Sequence, residues 1–182
     1  MVLNERETRT ERILEVANEM MTAARTAPKG KGFDIIEVIT ITGDTIKLLS
    51  DEMIRYSHKT GLKFVLRDAE NILEAEAVVL IGTRQQLHSL NCGYCGFDTC
   101  EAKRQFPEAP CAINTVDVGI ALGSACSVAT DKRVDNRIMF SAGRVAMELG
   151  FMPECSSIYG IPLSCSSKNP FFDRKSKTPP TN

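Results

Sequence analysis

Four cysteines stand in the order Cys92-x2-Cys95-x4-Cys100-x10-Cys111. Three thiols within nine residues, with Gly93 and Gly96 each directly after one of the first two, let a backbone curl around a metal centre and turn amides toward sulfur. A [4Fe-4S] cube asks this of a chain. Structural zinc more often takes its ligands as two short pairs across a longer span, whereas here the third cysteine follows closely and the fourth stands alone. A thioredoxin-like reading of Cys92-Gly93-Tyr94-Cys95 uses two thiols and leaves Cys100 and Cys111 idle. The spacing therefore ranks an iron–sulfur cluster first, zinc second and thiol redox chemistry third.

The other chemistry-bearing residues offer less. Cys126 falls among small residues on a predicted helix and reads as a buried thiol. Cys155 and Cys165 flank a predicted strand with no motif spacing. Seven cysteines, behind a charged 1–12 segment without the apolar stretch of a secretory leader, suggest reduced thiols in a cytoplasmic protein. His58 and His88 are too few for a histidine-rich centre. His88 reads first as a solvated loop residue and second as an outer neighbour of the metal. A net charge of −1, from 22 basic and 23 acidic side chains, supplies no field for nucleic acid or an acidic membrane, and neither partner is expected.

The length of 182 residues suits one well-packed domain. We expect an α+β unit over 1–174, the cysteine loop at 90–112 as an insertion within it, and a polar tail at 175–182. Apolar residues at helical spacing predict a helix over 4–25. It is stopped by Arg25-Thr26-Ala27-Pro28-Lys29-Gly30-Lys31-Gly32, whose cations read as a phosphate cradle or as solvated loop charges. A β-branched run predicts a strand at 35–42, then a turn at Gly43-Asp44-Thr45 and a helix at 45–59. Phe64-Val65 reads as a short extended piece before a helix at 68–76. The apolar run at 77–82 suits a buried strand, with the cysteine loop just beyond it. A helix at 113–130 carries Gly119, Gly123, Ser124 and Ala125, small enough for close packing on a neighbour. Another helix is expected from a cap near Asp135-Asn136 to Gly150. The last strand, at 157–163, contains Pro162, which favours a sheet edge or a strand end.

Longer strings carry a resemblance. Asn91-Cys92-Gly93-Tyr94-Cys95-Gly96-Phe97-Asp98-Thr99-Cys100 resembles the small four-cysteine iron–sulfur domain of corrinoid-pathway proteins and electron-transport complex subunits. In those the fourth cysteine typically stands farther away. Arg25-Thr26-Ala27-Pro28-Lys29-Gly30, Arg67-Asp68-Ala69-Glu70-Asn71, Pro110-Cys111-Ala112, Val116-Asp117-Val118-Gly119-Ile120-Ala121-Leu122-Gly123-Ser124-Ala125, Val134-Asp135-Asn136-Arg137-Ile138-Met139 and Gly160-Ile161-Pro162-Leu163-Ser164 are similar to a bacterial and archaeal family described as containing a ferredoxin domain. The resemblance implies one [4Fe-4S] cluster on Cys92, Cys95, Cys100 and Cys111 and electron transfer with a redox partner protein, and it names no reaction. A weaker likeness, in the order of elements, is to flavin-dependent nitroreductases. It implies a nitroreductase-like α/β sandwich, a central sheet flanked by helices, and a homodimer. It also implies FMN, with Arg25, Lys29, Lys168 and Arg174 near the flavin phosphate. The alternatives to a cluster-bearing electron carrier are thus a flavin-linked oxidoreductase with the cluster as relay, and a zinc-stabilised binding module. Whether the chain is an enzyme stays open.

Overall fold

The structure, a computed structural model, describes residues 1–172. The Asn4 side chain accepts a hydrogen bond from the Arg6 amide and starts helix α1, Glu5–Thr26, whose buried stripe is Ile13, Val16, Ala17, Met20 and Ala24. A short 3-10 turn at Gly30–Gly32 leads to strand β1, Ile36–Ile41. Helices α2, Asp44–Thr60, and α3, Lys63–Ile72, precede strand β2, Ala77–Arg84. Beyond the cysteine loop come helix α4, Cys100–Arg104, and helix α5, Ala112–Asp131. Strand β3, Asp135–Asn136, helix α6, Phe140–Glu148, and strand β4, Cys155–Ser164, complete the described fold.

The sheet is antiparallel throughout, in the order β1-β2-β4-β3. Central β2 reads as a continuous apolar run because helices cover both of its faces. Ala77, Val79 and Ile81 pack with α1 and α5, while Val78 and Leu80 pack with α2, α3 and α6. The side-chain period of two thus divides one strand between two half-cores. Helix α5 is long and apolar enough, by length and composition, to cross a membrane. In the fold it is a core helix, with Val118, Ala121, Leu122, Ala125 and Ala129 buried and the Ser124 hydroxyl donating to the Ala23 carbonyl of α1 at 3.1 Å. Of the small residues of α5, Ser124 and Ala125 serve this close pairing, whereas a Cβ at Gly119 or Gly123 would meet nothing within 4 Å.

Three local expectations need correction. Phe64 and Val65 are helical, because Val65, Ala69 and Ile72 form the buried stripe of α3. A two-residue apolar pair carries no period from which to tell helix from strand. Asp135 and Asn136 do not cap α6; they pair with Ser164 and Leu163 as β3, and Met139 bridges Gly160 just before the helix begins. Pro162 lies on an interior strand, not an edge, though near the strand end that was the other expectation, two residues before β4 stops at Ser164. It is tolerated because β3 ends at Asn136, opposite Leu163, so the outer ladder stops just before the proline that has no amide to give. The expected tail at 175–182 lies outside the described residues.

Candidate metal centre

The segment that carries the four cysteines leaves β2 and returns into α5, and both of its ends are fastened. The Gln85 side-chain amide donates to the Ala109 carbonyl at 3.0 Å and to the Pro107 carbonyl. The Asn114 amide donates to the Arg84 carbonyl at 3.3 Å. Cys111 is the N-cap of the 20-residue helix α5, where the macrodipole favours negative charge. Cys100 opens α4 directly after Thr99, whose hydroxyl accepts from the Ala102 amide at 3.1 Å.

Between these anchors the loop curls through left-handed positions. Asn91, Gly93 and Gly96 have φ of 47°, 72° and 84°, and the Gly96 amide closes a turn on the Gly93 carbonyl at 2.9 Å. Asn91 also pins the far side. Its side-chain oxygen accepts from the Cys100 amide at 2.8 Å, and its own amide donates to Cys100 Sγ at 3.4 Å. An amide aimed at a cysteine sulfur is the outer-sphere hydrogen bond by which proteins tune sulfur-ligated iron.

All four predicted cysteines line one small pocket, together with Leu87, Leu90, Phe97 and Ile113. Cys92 is exposed, Cys95 and Cys100 are half-buried and Cys111 is buried, so the pocket opens on the Cys92 side. The donor set is sulfur, the walls are largely apolar and no carboxylate lines the pocket. This chemistry suits soft, thiolate-held iron. Among the described residues no three of the His, Cys, Asp and Glu side chains converge closely enough to cage a single ion. Tetrahedral zinc would draw its sulfurs to about 3.8 Å from one another. A cube places each thiolate on a separate iron and lets the sulfurs stand farther apart. The four thiols of the pocket are a donor set that fits a sulfur-ligated metal centre.

His88 also lines this pocket and is 1% exposed, so it is not a solvated loop residue. It stacks on Phe33 with centroids 5.3 Å apart, and its Nε2 lies 3.5 Å from Asp117 Oδ2. No hydrogen bond is formed across it, and neither ring nitrogen has a hydrogen-bond partner among the described residues. Asp117 Oδ1 accepts from the Gly30 amide at 2.9 Å, and Lys31 Nζ donates to the His88 carbonyl at 3.2 Å. The Ala27-Pro28 loop is thereby docked onto the wall of the cysteine pocket.

The expected phosphate cradle is engaged otherwise. Arg25 pairs with Asp34 and lies 3.9 Å from Glu37. Lys29 Nζ donates to the Ala24 carbonyl at 2.8 Å and to the Arg25 carbonyl, capping the end of α1. Burial, and then the neighbouring Arg25, hold the Lys29 ammonium below its ordinary pKa. Lys168 is exposed beyond β4, and Arg174 lies outside the described residues. Of the remaining thiols, Cys126 and Cys155 are both pushed up to about 11, chiefly by burial. Cys155 and Cys165 lie at opposite ends of β4, whose ten residues put about 33 Å between them, and no disulfide joins them.

Residues 108–174 match the family described as "Uncharacterized protein containing a ferredoxin domain", a stretch that includes Cys111 but not the other three cysteines of the pocket. An uncharacterized protein of Archaeoglobus fulgidus is 37% identical over 185 residues, covering 97% of this chain and 100% of its own. The chain belongs to this family. Among solved structures, a BluB-like flavoprotein from Clostridium difficile 630 covers 91% of this chain and 85% of its own, with a TM-score of 0.59 at 17% identity. Nitroreductase CinD from Lactococcus lactis, solved with nicotinic acid, covers 100% and 86%, with a TM-score of 0.59 at 14% identity. The family fold is therefore nitroreductase-like, an α+β sandwich with helices on both faces of the sheet, as the order of elements implied. Sequence reasoning had singled out the four cysteines but gave no role to Asn91, Asp117 or Lys103. The signal for Asn91 was present in its place directly before Cys92. The buried positions of Asp117 and Lys103 depend on tertiary packing.

Proposed function

We propose that this family member is an iron–sulfur protein that holds one [4Fe-4S] cluster on Cys92, Cys95, Cys100 and Cys111 and passes single electrons to and from a partner protein. The observation that carries the reading is that all four cysteines, drawn from two helix starts and a tight turn, line one pocket. The cluster would supply one-electron redox chemistry. The chain's own part is to hold the thiols, to direct the Asn91 amide at Cys100 Sγ, and to keep Cys111 dry while Cys92 faces solvent. A redox partner would approach from that exposed side. Purified without oxygen, the protein is expected to contain four irons and four sulfides per chain and to absorb broadly at roughly 400 nm. Colourless protein with a single zinc, lost to a chelator with unfolding of the loop, would replace this reading with that of a zinc-stabilised module.

A second reading, a flavin-linked oxidoreductase with the cluster as relay, is favoured by the nitroreductase-like fold. Against it stand the existing partners of Arg25 and Lys29. Fold likeness alone does not fix a reaction. Release of FMN on denaturation would establish it.

A further inference from the structure

Cys100 differs from the other three thiols of the pocket. Among the described residues it alone of the four accepts an amide hydrogen bond on its sulfur, from the Asn91 N–H at 3.4 Å. Asn91 closes a second bond with it, because its Oδ1 accepts from the Cys100 amide at 2.8 Å. That amide stands at the first position of α4, where no intrahelical acceptor exists, so Asn91 caps the helix from nine residues upstream while Thr99 caps it locally. The pair of bonds ties off the 92–99 segment, which holds Cys92 and Cys95, against Cys100. The backbone bends sharply to reach this arrangement, with Ser89 and Asn91 at φ of 53° and 47°. Left-handed residues other than glycine are uncommon, asparagine is among those that tolerate it, and they gather where the surroundings hold a binding site in shape.

We propose that the Asn91 side chain is the latch that presets Cys92, Cys95 and Cys100 for metal, and that by aiming its own amide at Cys100 Sγ it sets how readily the loaded site accepts an electron. This deepens the function proposed above and rests on it. Asn91 is exposed and Cys100 half-buried, so without the carboxamide water can satisfy the Cys100 amide and the fold loses little. What goes is the placement of the thiols relative to one another. When an external one-electron donor reduces the cluster, part of the added charge falls on sulfur, and an N–H directed at that sulfur favours the reduced state. Asn91 is thus a positioning residue, which acts through Cys100 and makes no bond to iron.

The test uses oxygen-free, full-length protein, wild type beside Asn91→Gly, which keeps the left-handed backbone but not the acceptor, and Asn91→Asp, which keeps both. In iron-free samples, exchange of the Cys100 amide read by nuclear magnetic resonance is expected to be about tenfold faster in Asn91→Gly and close to wild type in Asn91→Asp. After loading with ferrous iron and sulfide, metal is counted, its loss to a chelator is timed, and a mediated titration followed by electron paramagnetic resonance gives the midpoint potential. Asn91→Gly is expected to lower the reduction equilibrium constant about threefold or more, roughly 28 mV for one electron at about 59 mV per tenfold, and to release iron faster than wild type. Asn91→Asp should hold its iron as wild type does. Should Asn91→Gly take up no iron while its apo form melts like wild type, retention of iron by Asn91→Asp would still support the latch. A fully loaded Asn91→Gly with the potential and chelation rate of wild type overturns the proposal, even if its Cys100 amide exchanges faster. So does equal loss of iron from both variants, which would show that the acceptor is not what matters. If wild type itself binds no iron, the functional reading fails and this proposal falls with it, an outcome told apart from the others before any variant is compared.

Discussion

At the scale of single residues, the seven thiols fall into groups that differ in environment and so in reactivity. Cys92 is exposed, whereas burial holds Cys126 and Cys155 at about 11, far above working pH. The thiolate is the species that alkylates. In folded, iron-free protein at roughly pH 8, iodoacetamide is expected to label Cys92 quickly, half-buried Cys126 more slowly, and to leave buried Cys155 unmodified, as read by peptide mass spectrometry. Labelling of Cys155 at a rate similar to Cys92 would contradict its burial. Cys92, Cys95 and Cys100 were legible as a group because their spacing is itself the geometry of a curled loop. His88 was not, since nothing in Leu87-His88-Ser89 reveals that Phe33, from a distant part of the chain, stacks on its ring.

Among the elements, legibility followed period and length. β2 carries a run of six apolar or small residues at 77–82 and α1 a full stripe, and both were placed from pattern alone. β3 has two residues, too few for any period, and exists only because Leu163 and Ser164 of β4 pair with it. The seat of α6 on β4 was equally hidden. A Cβ on Gly143 would stand 1.8 Å from the Ile158 carbonyl oxygen, a backbone atom that cannot swing aside. Gly119 on α5 meets nothing within 4 Å. Gly143→Ala is therefore expected to lower unfolding free energy by about 3 kcal/mol or more, through overpacking against backbone. Gly119→Ala should be neutral or stabilising by up to about 1 kcal/mol, through helix propensity. Urea titrations of the two variants separate close approach from a general intolerance of alanine in these helices.

Across the whole molecule, the two half-cores divide the labour. The cysteine pocket begins where β2 runs out and ends at α5, which packs on one face of the sheet, while the opposite face is clasped by a polar network around Asp68 of α3. Asp68 is 3% exposed. It accepts from the Ser141 hydroxyl of α6 at 2.6 Å and from Arg67 at 2.7 Å, with Arg137 at 3.5 Å. Arg137 in turn donates to the Phe171 carbonyl at 2.9 Å, and the Asn71 amide reaches the same oxygen at 3.3 Å. The Phe171 ring is 1% exposed in the core beneath. One carboxylate thus ties α3, α6 and the segment beyond β4 together, which gives Arg67-Asp68-Ala69-Glu70-Asn71 and the Arg137 string a structural task apart from the metal site. Removing one member of a buried ion pair leaves its partners uncompensated. Asp68→Asn keeps the shape and removes the charge, and it is expected to cost about 3 kcal/mol in a urea titration. Its iron content and absorption, measured well below the unfolding midpoint, should match wild type, because the network and the cysteines belong to opposite faces. Loss of iron in a still-folded Asp68→Asn would show instead that the clasp reaches through the sheet to the metal loop.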